Sequence, residues 1–105
     1  MKSFSEKAYE LLRKVPKGKV TTYKELAHAL NTSAYRAVGL AMRNNPYAPE
    51  VPCHRVIASD GKMGGFNGSR TGMSIDRKKE LLRKEGIEIE GNKVKDFDRI
   101  LFSGV

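Results

Sequence analysis

The sequence predicts a mainly α-helical domain with short strands that contains a helix-turn-helix. Two segments open with a hydroxyl residue followed three positions later by glutamate, which is the capping-box pattern of a helix start. A tight polar turn, Asn31-Thr32-Ser33, separates the second predicted helix from the third. Near the carboxyl end, apolar and charged residues alternate and then turn at Gly91-Asn92, which is typical of a β-hairpin. At 105 residues we expect one domain, residues 1–105, with a modest core.

Composition narrows the classes of partner. Lysine and arginine outnumber aspartate and glutamate by 20 to 12, which gives a formal charge of +8. This excess favours a polyanionic partner, and a merely soluble basic protein is the alternative. The single cysteine excludes an internal disulfide and a cysteine-rich zinc site, and it indicates a reducing compartment. Because no membrane-span pattern or signal peptide is visible, we expect no membrane partner and a cytoplasmic location, nuclear in a eukaryote.

The first two predicted helices begin at capping boxes. Ser3 with Glu6 opens the first helix, and a turn at Pro16-Lys17-Gly18-Lys19 ends it. Thr22 with Glu25 opens the second helix. Their apolar residues recur at helical spacing and are Ala8, Leu11, Leu12 and Val15, then Leu26, Ala27 and Leu30.

Thr32 or Ser33 is expected to cap the third helix, which runs to about Arg43. Its predicted apolar face comprises Ala34, Val38, Ala41 and Met42. Small residues at Ala37 and Gly39 would allow a close approach to a groove, and its arginines could reach phosphates or stacked bases. The alternative is tight packing between helices with the arginines in solvent.

A loop at residues 44–49 leads to residues 51–57, which contain the only cysteine, Cys53. A short strand is predicted at residues 55–58. Residues 63–72 form a glycine-rich loop whose length favours a binding role.

The last long helix is expected to begin at a cap, either Ser74 or Asp76, and to end at Gly86. Leu81 and Leu82 should dock on the core. The basic residues of this helix are expected to face water: Arg77, Lys78, Lys79, Arg83 and Lys84. A short helical tail follows the hairpin and contains Phe97, Ile100, Leu101 and Phe102.

Cys53 and His54 form a candidate nucleophile and base. A thiol attacks as its thiolate, so a reactive cysteine needs a base or a positive field, whereas a buried structural cysteine needs neither. Successive side chains on extended backbone point to opposite faces, so a bridging water is the natural link between the two. Glu80 or Glu85 could orient the imidazole, and spacing alone does not choose between them. Cys53, His54 and the remote His28 do not make a four-ligand metal set.

The segment Pro52-Cys53-His54-Arg55-Val56 resembles the active-site signature of the O6-alkylguanine-DNA alkyltransferases, the DNA repair methyltransferases. Other segments match that family in order and spacing: Pro16-Lys17-Gly18 through Thr22-Tyr23 and Leu26-Ala27, Arg36-Ala37-Val38-Gly39 through Ala41-Met42-Arg43 and Asn45-Pro46, and Leu81-Leu82 through Glu85-Gly86. The resemblance implies a winged-helix-like DNA-binding domain containing a helix-turn-helix. It also implies that the partner is duplex DNA with O6-alkylguanine and that the protein acts as a monomer without cofactor or metal.

The resemblance assigns catalytic roles residue by residue. Cys53 would take the alkyl group directly and irreversibly, so that each molecule acts once. His54 would act as the base through a water, and Glu85 would orient it. Tyr23 matches the phenol that protonates or hydrogen-bonds guanine N3.

Substrate contacts also follow from the resemblance. The backbone carbonyls of Cys53 and Val56 would accept from the exocyclic amine of guanine, and the N–H of Asn67 would donate to O6. Phe66 stands where the family commonly has tyrosine, which keeps a stacking face and removes a hydroxyl. Asn45 matches a hinge between the DNA-binding helix and the active-site loop.

The third predicted helix would enter the minor groove, because a base inside a duplex must be flipped out to react. Arg36 matches the arginine finger that fills the gap left in the stack, and Ala37, Gly39 and Arg43 would contact DNA beside it. Tyr35 replaces a small residue next to this finger, so groove contacts should differ in detail.

Two other classes of protein are alternatives. The alkyltransferase-like proteins share this short length and flag alkylated guanine without repairing it, but they carry tryptophan where this chain has Cys53. A helix-turn-helix regulator with an incidental cysteine would bind a specific sequence and show no preference for damage. Many alkyltransferases also carry a preceding α/β domain, which we do not expect in residues 1–105.

Overall fold

The computed structural model describes residues 2–47, 50–64 and 73–103. Its amino-terminal half contains α1 (Phe4–Leu12), β1 (Thr21–Thr22), α2 (Tyr23–Ala29) and α3 (Tyr35–Arg43). A 3₁₀ helix (Cys53–Arg55) and β2 (Val56–Ile57) follow, and then α4 (Met73–Lys84), β3 (Ile89–Glu90), β4 (Lys93–Val94) and α5 (Phe97–Ile100). The prediction of a mainly α-helical fold with short strands and a helix-turn-helix, formed by α2 and α3, is confirmed.

The two predicted capping boxes start their helices as expected. Ser3 Oγ accepts the backbone N–H of Glu6 at 3.1 Å, and Thr22 Oγ1 accepts that of Glu25 at 3.0 Å. Each hydroxyl satisfies a donor that has no partner within the helix, which fixes the first turn.

The start of α3 differs from the prediction. Ala34 occupies the cap position and makes no side-chain capping bond. Thr32 Oγ1 instead accepts the N–H of Ala34 at 3.0 Å, which closes the turn one step before the helix. Asn31 adopts a left-handed conformation with φ of 62°, which asparagine tolerates better than most residues, and so reverses the chain between α2 and α3.

Two hydrophobic clusters lie on either side of a parallel two-stranded sheet, in which Thr21 pairs with Val56 and Thr22 with Ile57. Because side chains alternate along a strand, Val56 enters the first cluster and Ile57 the second. The first cluster comprises Ala8, Tyr9, Leu12, Val15, Leu26, Ala27, Val38, Ala41, Met42, Val51, Cys53 and Val56. The second cluster comprises Val20, Ile57, Met63, Ile75, Leu82, Ile87, Val94 and Ile100.

Helix α4 corrects two predictions. It begins at Met73, so Ser74 and Asp76 lie within its first turn and are not its cap. Lys78, which was expected to face water, is fully buried. Residues three and four apart share a helix face, and Lys78 shares the face of Ile75 and Leu82, which packs into the second cluster.

The carboxyl-terminal segment forms the predicted hairpin. Strands β3 and β4 pair antiparallel, with Ile89 opposite Val94 and Glu90 opposite Lys93. Gly91 in the turn has φ of 63°, a conformation that glycine adopts without strain. In the described ranges, no helix has both the length and the apolar character needed to cross a bilayer.

Candidate functional site

Cys53 begins the 3₁₀ helix and packs into the first cluster with 8% of its surface exposed. The N–H of Arg55 donates to the Pro52 carbonyl at 2.9 Å, and the N–H of Val56 donates to the Cys53 carbonyl. These bonds form a helical turn, so our prediction of extended backbone between Cys53 and His54 is wrong. Both side chains are buried as a result.

Glu85 lies in the turn that ends α4, where Gly86 has φ of +87° and the N–H of Ile87 donates to the Leu82 carbonyl at 3.2 Å. Helix α4 packs against the 3₁₀ helix, and this brings Glu85 to His54. His54 Nε2 lies 2.8 Å from Glu85 Oε2. The structure thus selects Glu85 over Glu80, which is exposed, as the acid next to the imidazole.

Arg55 holds the same carboxylate through a bidentate contact. Its Nε donates to Glu85 Oε1 at 2.8 Å and its Nη2 donates to Oε2 at 2.7 Å. A further bond from Nη1 to the Val15 carbonyl, at 2.9 Å, ties the guanidinium to the segment after α1. The planar fork of arginine matches both oxygens of a carboxylate, so Glu85 is fixed in orientation as well as position.

The electrostatics favour a neutral imidazole beside an ionised acid. Burial lowers the pKa of His54, and the opposing influence of Glu85 does not cancel this shift. Burial by itself would raise the pKa of Glu85, but hydrogen bonds from Arg55 and His54 outweigh it and the net pKa is lowered. An ionised carboxylate only accepts, so Nε2 carries the hydrogen and Nδ1 presents a lone pair. Within the ranges that the structure describes, Nδ1 has no hydrogen-bond partner.

Tyr23 opens α2 and packs against the first cluster from its edge. Gly64 has φ of +69°, and a Cβ placed on it would lie 3.2 Å from Tyr23 Cε2. Glycine at this position therefore lets the backbone approach the phenol closely. The predicted substrate residues Phe66 and Asn67 lie outside the described residues.

Lys78 was missed as a site residue by sequence reasoning. Its Nζ donates to the carbonyls of Val56 and Met63, at 2.6 and 2.5 Å, and lies 6.0 Å from the ring centroid of Tyr23. Burial lowers the pKa of Lys78 to about 7, and the negative form of Cys53 opposes the shift. Its helical spacing from Ile75 and Leu82 was the signal that could have indicated burial. We nevertheless predicted that Lys78 faces water, because lysine side chains are usually exposed.

The outer face of α3 carries residues that the sequence analysis predicted to contact nucleic acid. Arg36 and Arg43 are exposed, and Tyr35 and Leu40 are large apolar side chains with 46% and 55% of their surface exposed. A Cβ placed on Gly39 would meet nothing within 4 Å. Packing within the described protein therefore does not require a glycine there. The half-buried Ala37 lies on the same helix, whose inner face consists of Val38, Ala41 and Met42.

Asn45 links the end of α3 to the Cys53 segment. Its Nδ2 donates to the Val51 carbonyl at 2.8 Å, and its Oδ1 accepts the N–H of Tyr47 at 2.9 Å. The Val51 carbonyl also accepts the N–H of Cys53 at 2.9 Å. One backbone carbonyl thus joins the hinge residue predicted from the sequence to Cys53.

No group of three or more histidine, cysteine, aspartate or glutamate side chains that could hold a metal occurs in the described part of the chain. The hydrogen-bond chain of His54, Glu85 and Arg55 can orient an imidazole and supply an acceptor for a proton. Helix α3, whose exposed residues include Arg36 and Arg43, packs into the same first cluster as Cys53. An imidazole oriented in this way suits the removal of a proton from a thiol.

The chain is similar to DNA repair proteins in sequence and in structure. Residues 3–87 match the family model described as 6-O-methylguanine DNA methyltransferase, DNA binding domain. A methylated-DNA–protein-cysteine methyltransferase from Thermococcus kodakarensis is 51% identical over 86 residues, which are 81% of this chain and 45% of that protein. The chain spans about half the length of the curated relatives it matches.

Two crystal structures extend the comparison. S. pombe Atl1 in complex with damaged DNA containing O6-carboxymethylguanine has a TM-score of 0.79 and 32% identity, over 97% of this chain and 98% of Atl1. Mycobacterium tuberculosis OGT in complex with DNA has a TM-score of 0.70 and 40% identity, over 81% of this chain and 50% of OGT. The extent of the family match, together with these likenesses, establishes that the chain belongs to the family of 6-O-methylguanine DNA methyltransferase DNA-binding domains.

Proposed function

We propose that this chain binds duplex DNA, flips out O6-alkylguanine and transfers the alkyl group irreversibly to Cys53. The observation that carries the proposal is the hydrogen-bond chain of His54, Glu85 and Arg55, which begins at the residue next to the only cysteine. The names of the similar proteins support the same reaction class. A structural cysteine alone would not need an oriented, neutral imidazole beside it.

The proposed transfer requires no cofactor. His54 Nδ1, through a water, takes the proton of the Cys53 thiol. The thiolate attacks the alkyl carbon, the S–C bond forms, and the O6–C bond breaks with its electron pair remaining on guanine. Tyr23 hydrogen-bonds or protonates guanine N3, which makes the base a better leaving group. Because the thioether is stable, each molecule reacts once.

The base pocket is proposed to lie between Tyr23 and the segment after Cys53. The carbonyls of Cys53 and Val56 would accept from the exocyclic amine of guanine. By resemblance, Asn67 would donate to O6 and Phe66 would stack near the base. The closeness of Gly64 to the phenol supports a narrow slot at this edge.

The DNA-binding surface is proposed to be the outer face of α3. Arg36 would fill the stack after base flipping, while Arg43 would contact phosphate. Ala37 and Gly39 would let the helix approach the minor groove, and Tyr35 would add an apolar contact beside the finger. The open space around Gly39 supports this, because only a partner would be obstructed by a side chain there.

Asn45 is proposed as the hinge that couples this surface to Cys53, through its bond to the Val51 carbonyl. We further propose that residues 1–105 act as a single domain and as a monomer. The site of action would be wherever the cell keeps its DNA, the cytoplasm or, in a eukaryote, the nucleus.

The test measures the loss of O6-methylguanine from the DNA. A duplex carrying O6-methylguanine is incubated with the protein, and the nucleosides are quantified by mass spectrometry after digestion. We expect guanine to replace O6-methylguanine, with at most one lesion repaired per protein molecule. Cys53→Ala should bind the same duplex and repair none of it. Undiminished O6-methylguanine with folded wild-type protein would contradict the proposal.

The second candidate function is non-enzymatic recognition of O6-alkylguanine. The likeness to S. pombe Atl1 favours it, because that likeness covers nearly the full length of both chains. This alternative expects preferential binding of the damaged duplex with no loss of the alkyl group in the nucleoside measurement. Cys53 argues for transfer, because a thiol is the acceptor that the reaction needs.

A further inference from the structure

Lys78 has no exposed surface, and within the described ranges no other lysine or arginine is as deeply buried. Burying an ammonium group is costly unless hydrogen bonds compensate. In a small core, an apolar side chain at this position of α4 would continue the surface of Ile75 and Leu82 at no such cost. The position therefore calls for an explanation beyond packing.

The hydrogen bonds of Lys78 join two separate segments. Its Nζ donates to the Val56 carbonyl at 2.6 Å and to the Met63 carbonyl at 2.5 Å. Val56 directly follows the 3₁₀ helix that starts at Cys53, and Met63 precedes Gly64, which approaches Tyr23. One ammonium thus fixes the backbone at both edges of the proposed base pocket.

Other contacts also hold these segments, including the pairing of Val56 with Thr21 in the parallel sheet. The N–H of Met63 donates to the Asn92 carbonyl at 3.0 Å, and the N–H of Val56 donates to the Cys53 carbonyl. Both are bonds of the N–H groups. Lys78 adds hydrogen bonds that the two carbonyl oxygens themselves accept.

We propose that Lys78 is a positioning residue for the alkylated base, which it serves by orienting the Val56 carbonyl toward the exocyclic amine of the flipped guanine. The inference rests on the proposed function and deepens it. A carbonyl oxygen accepts two hydrogen bonds, so the bond from Lys78 fixes the direction of the second. Lys78 itself touches neither the alkyl group nor the base.

The consequence is specific to the amine. Hypoxanthine is guanine without the exocyclic amine, so O6-methylhypoxanthine offers the Val56 carbonyl no donor. Wild-type protein should therefore prefer O6-methylguanine, by about tenfold for one well-placed hydrogen bond. Loss of Lys78 should remove most of that preference, because the carbonyl is no longer held in the accepting direction.

The experiment compares the two bases in otherwise identical duplexes. Transfer rate constants are measured at saturating DNA for wild type, Lys78→Met and Lys84→Met. Dissociation constants are measured in the same three backgrounds carrying Cys53→Ala. Methionine fills the space of the lysine stem without a charge or a donor. Lys84 is an exposed lysine of the same helix, so Lys84→Met is the matched control.

We expect wild type and Lys84→Met to keep the preference and Lys78→Met to reduce it to within about twofold of unity. A folded Lys78→Met that keeps the full preference, or that loses rate equally on both duplexes, would overturn the inference. If Lys78→Met does not fold, Lys78→Gln retains a shorter donor and should show an intermediate preference; a full preference would overturn the inference again.

The design separates failure of this inference from failure of the proposed function. If wild-type protein transfers no alkyl group, the proposed transfer is wrong. The binding preference of the Cys53→Ala proteins still decides the role of Lys78 in that case. If transfer occurs and the preference is the same with and without Lys78, only the positioning role is wrong.

Discussion

Glu85 is held by two different residues, and each contact has its own consequence. The fork of Arg55 keeps the carboxylate ionised and fixed, and the bond to His54 determines which ring nitrogen carries the hydrogen. The orientation of the imidazole is therefore set by Glu85, which is itself held by Arg55. The proposed base depends on Glu85 in this way.

Replacing Glu85 should slow transfer without weakening DNA binding. In Glu85→Gln the amide can no longer anchor both His54 and Arg55 as a carboxylate does, and we expect the transfer rate constant to fall about a hundredfold. Single-turnover kinetics with an O6-methylguanine duplex measure this. Glu80→Gln, at an exposed position of α4, is the control and should react like wild type. A Glu85→Gln variant as fast as the control would contradict the role.

The pH dependence of transfer follows from His54. Only the neutral imidazole can take a proton, and burial lowers the pKa of His54 below its ordinary 6.5. Acidification should therefore reduce the rate constant, and the midpoint of this loss should lie below pH 6.5. Rate constants measured from about pH 5 to about pH 8 provide the check. A rate that increases on acidification would exclude His54 as the base.

Helix α3 presents two faces of different character. Its inner face packs into the first cluster through Val38, Ala41 and Met42, while the outer face is exposed around Gly39. Glycine in a helix interior is unfavourable by about 1 kcal/mol relative to a good helix former, and packing within the described protein does not require glycine at this position. The proposed groove contact gives a reason for its presence.

Gly39→Gln should separate stability from DNA binding. We expect the free energy of unfolding to rise by up to about 1 kcal/mol, because glutamine favours the helix. The same side chain should obstruct the groove and raise the dissociation constant by at least about tenfold, or ~1.4 kcal/mol. Urea denaturation and fluorescence anisotropy give the two quantities. Unchanged binding to duplex DNA would place the interface elsewhere.

Short sequence patterns predicted those helices and strands whose ends are fixed by residues close in the sequence. A hydroxyl three residues before glutamate defined the starts of α1 and α2, and the Gly91-Asn92 turn defined the hairpin. The start of α3 could not be predicted in this way, because the Thr32 hydroxyl closes a turn that sequence does not distinguish from a cap. Local patterns specify a bond only when no competing bond is available to the same group.

At the candidate site, the contacts that could not be predicted join residues that are distant in the sequence. The sequence indicated Cys53 and His54, but it offered two glutamates. Only the packing of α4 against the 3₁₀ helix brings Glu85 to the imidazole and leaves Glu80 in solvent. Lys78 was missed for a related reason. Its ammonium group can be buried because it donates hydrogen bonds to two carbonyls, and these carbonyls belong to segments that are distant in the sequence.

At the scale of the whole molecule, the buried ammonium of Lys78 links stability to pH. Its pKa falls from 10.5 to about 7 on folding, so between these values the folded state binds fewer protons than the unfolded chain. Stability should therefore rise with pH across this window, by up to about 1.4 kcal/mol per pH unit, and this gain is absent at lower pH. The field of Cys53 acts against the shift.

The variant Lys78→Met isolates this contribution, because methionine does not titrate. The free energy of unfolding is measured by urea denaturation at pH 7 and at about pH 9. Between these two pH values it should increase more for wild type than for Lys78→Met. Lys84→Met, which removes an exposed charge from the same helix, should follow wild type. Parallel pH profiles for wild type and Lys78→Met would show that the ammonium is not destabilised by burial.

In the proposed reaction, Cys53 itself becomes alkylated. The direct measurement is tandem mass spectrometry of the peptide containing Cys53, after wild-type protein has been incubated with an excess of duplex carrying O6-methylguanine. We expect one methyl group to replace the thiol hydrogen of Cys53 in each molecule, and further incubation to add no more. An unmodified Cys53 in folded protein that binds the damaged duplex would contradict it.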